Sequence, residues 1–388
     1  MKKIRFGVIG LGNQGTHYAL DLFAKGVIEN GCITALCDNN PAKIKIMQEK
    51  NEDKSIAYFE NYIEMLESGL VDAVLVETPH YQHPEITVEA LKRNIHVICD
   101  KPAGVYTQQV REMNEIAAQS SAKFTMLFNQ RTNCVYRKLK ELIDQGAIGK
   151  LQRMTWKITV WFRPQCYYDS GSWRGTWRGE GGGVLINQCP HQIDLMQWIL
   201  GEMPTSVRAF CHYGKWHDIE VEDDVTAYFE FASGMTGVFI TSTGEEPGVN
   251  RLEISGTKGM LVIENDKLRM CKLEKDALET SKTATVWKNI PHEWIDVETD
   301  GQNPRHAGII NNFTNALLGK EQLFVDGAEG IKMVELMNAM ELSGWNDGEK
   351  IILPVDEERY LKELNAHRAV SRFKEAKDDV VMDVKGTF

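Results

Sequence analysis

The stretch IRFGVIGLGNQG, Ile4 to Gly15, decides the fold. Its first part is apolar and β-rich, and Gly10, Gly12 and Gly15 follow in the spacing G-x-G-x-x-G. Residues from Gln14 to Lys25 then pattern as a helix. Between a strand and a helix, the first glycine permits a tight turn and the second lets the backbone approach a pyrophosphate. The third lets helix and strand pack closely, and the helix start, here Asn13 and Gln14, faces the anion. Many turns match such a pattern by chance, so the surroundings have to support it. Working outward, ITALCD reads as a second strand that ends in Asp38. A carboxylate there accepts hydrogen bonds from a ribose 2′-hydroxyl and repels a 2′-phosphate, which predicts NAD in preference to NADP. Further strands, AVLVETP, HVICD and KFTMLF, alternate with the helical patterns HPEITVEALKRN and TQQVREMNEIAAQ. That alternation predicts a parallel, doubly wound sheet over residues 1–128, with ligand beyond the carboxyl ends of its strands.

A chain of 388 residues is long for one domain, so two are expected. At 43% hydrophobic and 26% charged residues the composition is that of a soluble globular enzyme. No apolar run approaches the length of a membrane span, and the apolar part of MKKIRFGVIG is too short for a signal peptide. Acidic residues outnumber basic ones 55 to 44, for a net charge of −11, which disfavours nucleic acid and anionic membranes as partners. Eight cysteines are scattered without a CxxC pair, and HExxH is absent. Reduced thiols in a cytoplasmic protein are expected, with neither disulfides nor a metal site.

The fifth strand of the series ends in Asp100, Lys101 and Pro102. A lysine at that end points into the nucleotide crevice, and the proline next to it fixes its direction. Oxidising an alcohol by hydride transfer also requires loss of the hydroxyl proton. Beside a cationic nicotinamide, Lys101 would have a lowered pKa and act as acid or base. The plainer reading is a solvated cation or a donor to the cofactor ribose. Later, EGGGVLINQCPHQIDLMQW runs from Glu180 to Trp198. Asn187 and His191 stand at i and i+4, predicting that both project from one helical face. Gly181 to Gly183 are expected to let the backbone run close to cofactor or sugar. An amide orients a hydroxyl but takes no proton, so the proton falls to His191, to Lys101, or to both in relay. Asp194 is expected to orient His191 or tie down the helix. The segment WFRPQCYYDSGSWRGTWR, residues 161–178, mixes aromatics with arginines. Arg163, Tyr168, Trp173 and Arg174 suit a sugar, including an anionic one. Trp161 is expected in the strand MTWKITVWF, facing the core or an oligomer interface.

Together GVIGLGNQG, ETPHYQHPEITVEALKRNIHVICDKP and GGGVLINQCPHQIDLMQWILG resemble the glucose–fructose oxidoreductase, inositol dehydrogenase and rhizopine-catabolism family (Gfo/Idh/MocA) over residues 3 to 355. The resemblance implies a Rossmann domain (1–128) followed by an α/β domain (129–355) with an open, mostly antiparallel sheet. The broad face of that sheet implies a homodimer or homotetramer. Lys101 falls on the family's catalytic E-K-P lysine, with Asp100 in place of the glutamate. Thr78, Pro79, His80 and His83 fall on T-P-N-x-x-H, implying cofactor contacts, with His80 replacing the asparagine; Asn129 is grouped with them. Many members read G-G-G-x-x-x-D-x-x-x-H-x-x-D, which His191 and Asp194 match and Asn187 does not. Asparagine there is typical of members acting on nucleotide-linked sugar acids and other pyranosides. His306, early in the predicted helix NPRHAGIINNFTNALLG, stands where members bring a polar group to the substrate. The charged, helical tail (356–388) lies beyond the family's usual end and reads as a packing or oligomer arm.

The activity implied is hydride transfer between NAD and a ring secondary alcohol of a sugar, glycoside or inositol, with C3 the expected position. An alternative with the same residues is redox-neutral glycoside hydrolysis by oxidation, elimination, hydration and re-reduction, with Tyr167 or Tyr168 as the additional base. A non-catalytic NAD sensor is the third, and the presence of both Lys101 and His191 argues against it.

Overall fold

The computed structural model describes residues 3–375, so residues 376–388 of the C-terminal arm lie outside the described residues. Strands β1 (Ile4–Ile9), β2 (Gly31–Cys37), β3 (Ala57–Phe59), β4 (Ala73–Val76), β5 (His96–Cys99) and β6 (Phe124–Met126) form one parallel sheet in the order β3-β2-β1-β4-β5-β6. The strands are short and apolar because helices cover both faces; Phe6, Val8, Val74, Leu75, Val97 and Ile98 are fully buried. Strand order reverses between β1 and β4, and this is where such sheets open a ligand crevice.

The glycine turn lies at that crevice. Gly10 has φ +101°, and a Cβ built there would lie 2.5 Å from the Glu77 carbonyl oxygen. A Cβ on Gly15 would lie 1.9 Å from the Gly10 oxygen, so helix and strand pack too closely for any side chain. On Gly12 it would meet nothing within 4 Å, leaving open space where a pyrophosphate would sit. The helix that follows departs from the expected regular run. It is α-helical over Asn13–His17 and then widens to a π-helix over Tyr18–Phe23. Tyr18 and Phe23, five residues apart, are both buried, a spacing that a five-residue turn places on one face.

A second, mixed sheet follows in the order β14-β13-β12-β11-β7-β10-β9-β8-β15. Its strands are β7 (Leu151–Ile158), β8 (Ser206–Tyr213), β9 (Glu222–Glu230), β10 (Thr236–Ser242), β11 (Asn250–Gly256), β12 (Gly259–Glu264), β13 (Lys267–Leu273), β14 (His292–Asp296) and β15 (Ile351–Ile352). Neighbours run antiparallel except β7 and β10. Val207, Ala209, Val225, Ala227 and Phe229 face the core, whereas Arg208, Phe210, Thr226 and Tyr228 are exposed, which is the period-two pattern of a sheet with one open face. The strand expected to run through Phe162 ends at Ile158, and Trp161 packs partly buried beyond it. Helix Gly330–Trp345 packs on β8. Helix Glu357–Val370 follows, with the Trp345 and Tyr360 rings stacked 5.2 Å apart. Among the described residues no helix is long and apolar enough to cross a membrane, and no three His, Cys, Asp or Glu side chains are grouped to hold a metal ion.

Candidate active site

Lys101 is placed by the end of β5. Its N–H donates to Asp100 Oδ1 at 2.8 Å, and the Lys101–Pro102 peptide is cis. The Lys101 Nζ donates to the backbone oxygen of Asn187 at 3.0 Å, joining the first sheet to the glycine-rich segment. Burial lowers the pKa of this ammonium, Asp100 opposes the shift, and Arg174 lowers it further. A lysine held in this way releases a proton more readily than one in water.

Asn187 and His191 do not share a helical face. The helix is Pro190–Leu200, opened by its proline, and Asn187 lies in the turn before it, with its N–H on the Gly183 oxygen at 3.0 Å. The amide still joins the network: Nδ2 donates to Glu180 Oε1, and Oδ1 accepts from the Tyr167 hydroxyl at 3.3 Å. His191 Nδ1 is buried without a protein partner. Burial drives this imidazole well below its ordinary pKa, with the Lys101 charge next in importance, so the ring is neutral. Gly181 and Gly183 are required by packing within the protein. A Cβ on Gly181 would lie 2.4 Å from Val105 Cγ1, and one on Gly183 would lie 2.0 Å from the Glu222 oxygen. The buried Glu222 carboxylate takes the Gly183 N–H at 2.9 Å and the Leu185 N–H at 3.0 Å, and so shapes the turn.

The aromatic loop also sorts differently from its sequence reading. Tyr168 is buried, with its hydroxyl on Thr243 Oγ1 at 2.9 Å, so it supports the core and does not face a substrate. Its neighbour Tyr167 meets Asn187 and accepts from Arg174 Nη1 at 2.7 Å. The Arg163 and Arg174 guanidiniums lie 5.2 and 4.5 Å from the Tyr167 ring centroid, and Arg174 also covers Trp173 at 4.4 Å.

Asp194 makes a two-pronged ion pair with the buried Arg131, at 2.8 and 2.6 Å. It therefore ties the helix down and is removed from the substrate set. His306 accepts from Asn129 Nδ2 at 2.7 Å and lies against the Tyr18 ring; burial pushes its pKa down to about 4. His83 holds backbone: its ring nitrogens lie 2.6 Å from the Pro102 oxygen and 2.7 Å from the Thr78 oxygen, leaving neither for a cofactor. His80 Nδ1 is 3.1 Å from the Glu180 oxygen, and its ring meets Trp173 edge-on. Pro79 and Asn13 are exposed at the mouth of the crevice, with Gln14 half-buried.

Three residues that the sequence reading passed over prove central. Glu180 was inside the quoted stretch but had no partner to suggest a role. Glu222 and Arg131 lie 39 and 63 residues in sequence from the groups they hold. No local spacing could have found them.

The crevice fits NAD. Space is open over Gly12, and Thr78 Oγ1 is buried without a partner. Asp38 accepts from the Leu11 N–H at 2.8 Å and the Asn40 N–H at 2.9 Å, with Lys43 at 3.2 Å, which leaves acceptor capacity for a ribose hydroxyl. A nucleotide crevice whose lysine rests on the turn that precedes helix Pro190–Leu200 defines the class, an NAD-binding oxidoreductase. The comparisons agree. Residues 4–128 match the oxidoreductase family with NAD-binding Rossmann fold, and residues 136–262 match the Gfo/Idh/MocA C-terminal domain. The chain belongs to the Gfo/Idh/MocA family. It is 30% identical to a myo-inositol 2-dehydrogenase of Thermotoga maritima, over 68% of this chain and 75% of that one. A 2,7-anhydro-N-acetylneuraminate hydratase of Escherichia coli is 27% identical over 67% of this chain and 68% of its own. The WlbA dehydrogenase of Bordetella pertussis, solved with NADH and UDP-GlcNAcA, superposes with TM-score 0.75 at 26% identity, covering 92% of this chain and 100% of that one.

Proposed function

We propose that the protein is an NAD-dependent dehydrogenase of a ring secondary alcohol in a sugar, glycoside or inositol, with C3 as the reacting carbon of a pyranose. The observation that carries this reading is the Lys101 ammonium, lowered in pKa and held 3.0 Å from the Asn187 backbone oxygen beside the neutral His191. Bound NAD supplies the hydride acceptor. In its neutral amine form Lys101 takes the hydroxyl proton and becomes the ammonium, His191 relays the proton onward, and Asn187 orients the alcohol. Arg163 and Arg174 over Tyr167 favour a substrate with a carboxylate or phosphate. The WlbA complex, which contains a charged nucleotide sugar, supports that preference. On this reading residues 1–128 hold NAD and 129–355 hold substrate. The exposed face of the second sheet, with Phe210 and Tyr228, joins copies into a dimer or tetramer. The test is a panel of sugars, sugar acids and inositols with added NAD. NADH formation lost by orders of magnitude in Lys101→Met, with NAD binding kept, supports the reading; unchanged turnover refutes it.

A second reading, redox-neutral elimination, is favoured by the hydratase relative and by Tyr167, whose hydroxyl meets the Asn187 amide. Solvent deuterium entering C2 of the product without net NADH would select it, and its absence would leave simple dehydrogenation.

A further inference from the structure

The amide at position 187 has a cause in the structure. The buried Glu180 carboxyl accepts the Gly175 N–H through Oε2 at 2.6 Å and the Asn187 amide through Oε1. At the far end of the same chain of bonds, Arg174 Nη1 donates to the Tyr167 oxygen at 2.7 Å and Gln188 Nε2 donates at 3.2 Å. A guanidinium only donates and a carboxylate only accepts, so every bond between them has one direction. The Tyr167 hydroxyl donates a hydrogen bond to Asn187 Oδ1, and Asn187 Nδ2 donates one to Glu180. The network runs from a cation to an anion, an order in which hydrogen bonds polarise one another.

We propose that Glu180 is a positioning residue that fixes the flip of the Asn187 amide, so that Oδ1 is presented as an acceptor to a substrate hydroxyl while the backbone oxygen of the same residue receives Lys101. The proposal rests on the dehydrogenase reading and deepens it: the hydroxyl at Asn187 must be a donor, and because a hydroxyl carries one proton it is a neighbour of the reacting hydroxyl, whose own proton goes to Lys101. It also explains why position 187 carries an amide. Aspartate there would set two carboxyls face to face, and one proton would have to be shared between them. Charges around Glu180 come from several elements: Arg174 on the aromatic loop, Lys374 after the last helix, Lys101 beyond β5 and Glu222 on β9, with the Tyr167 and Tyr168 phenols beside them.

The test compares wild type with Glu180→Gln, Asn187→Asp and the double variant that exchanges acid and amide. Each is read by kcat/KM against pH on the best sugar of the panel, by NADH binding, and by Tm against pH. Asn187→Asp alone is expected to lose kcat/KM progressively as pH rises, because the facing carboxyls must keep a proton. Glu180→Gln alone offers one acceptor oxygen to two donors, so the Gly175 N–H or the Asn187 amide is left facing an amide N–H, and the variant is expected to lower kcat/KM about tenfold or more with NADH binding unchanged. The double variant restores the donor–acceptor match, so it is expected to recover most of both losses and the wild-type pH profile. A Glu180→Gln variant with wild-type kinetics, or an exchange as damaged as the two single losses combined, would overturn the proposal. The Tm series needs no turnover. If no sugar reacts with wild type yet the exchange restores the pH dependence of Tm, the dehydrogenase reading fails and the positioning stands. If the two substitutions act additively in Tm, the positioning fails whatever the substrate.

Discussion

Residue by residue, the chemistry concentrates on groups whose charge the fold makes expensive. Lys101 is the clearest case, with its pKa lowered first by burial and then by Arg174. If Lys101 takes the alcohol's proton as proposed, oxidation needs the neutral amine, so log kcat/KM is expected to rise with pH and level off below the ordinary lysine value of about 10.4. Arg174→Met removes one of the lowering influences and is expected to move that limb to higher pH; a limb that stays in place assigns it to another group. The position of Lys101 was legible because a strand end and a proline constrain it locally. The choice between Tyr167 and Tyr168 was not. Helix Gln165–Asp169 turns successive side chains by about 100°, so one of two adjacent tyrosines meets Asn187 and the other meets Thr243. Which one faces the site depends on packing that two identical letters do not encode.

Among the elements, the glycine-rich turn shows where local reading stops. Its flexibility was visible, but its purpose was not, since Val105 and Glu222 come from distant strands and loops. The two sheets were readable because strand patterning is local, whereas the partners of buried carboxyls are long-range. Glu222 turns this into a measurable pH effect. Burial pushes its pKa up to about 7 against the downward pull of the N–H groups it accepts, with Glu180 adding to the rise and Glu341 facing it. The unfolded carboxyl titrates near about 4.3, so between that value and about 7 the folded protein holds a proton that the unfolded chain has released. Stability is therefore greatest below this window and falls as pH rises through it, by at most about 1.4 kcal/mol per pH unit. Glu222→Gln cannot titrate and, like the protonated carboxyl, offers one acceptor oxygen and one donor. Its Tm is expected to lie close to that of wild type at pH 5, where Glu222 is protonated, and to change less between pH 5 and 8 than that of wild type. An equal slope in both proteins would move the titration to a different carboxyl.

At the scale of the whole molecule, the loop that carries Tyr167 and Arg174 is held from outside by the far end of the chain. Beyond helix Glu357–Val370, Ser371 Oγ accepts the Arg178 N–H at 3.1 Å, and Arg372 donates its N–H to Glu220 at 2.9 Å and pairs with Asp218 at 2.6 Å. Lys374 Nζ donates to the carbonyls of Tyr168 and Arg174, the latter at 3.3 Å. The sequence showed a charged helical arm there, but a polar segment names no docking site, because charges alone fit many surfaces. Exposed ion pairs such as Arg372 with Asp218 contribute little by themselves. The two carbonyls under Lys374 matter more, since they belong to the residues that bracket the aromatic loop, and ordering such a loop before binding spares that entropy when substrate arrives. Lys374→Ala is therefore expected to raise KM for the sugar severalfold with kcat and NADH affinity nearly unchanged, and to speed proteolytic cutting between residues 164 and 178. Unchanged KM and cutting would mean that Glu180, through Gly175 and Asn187, orders the loop from within and that the chain end only covers it.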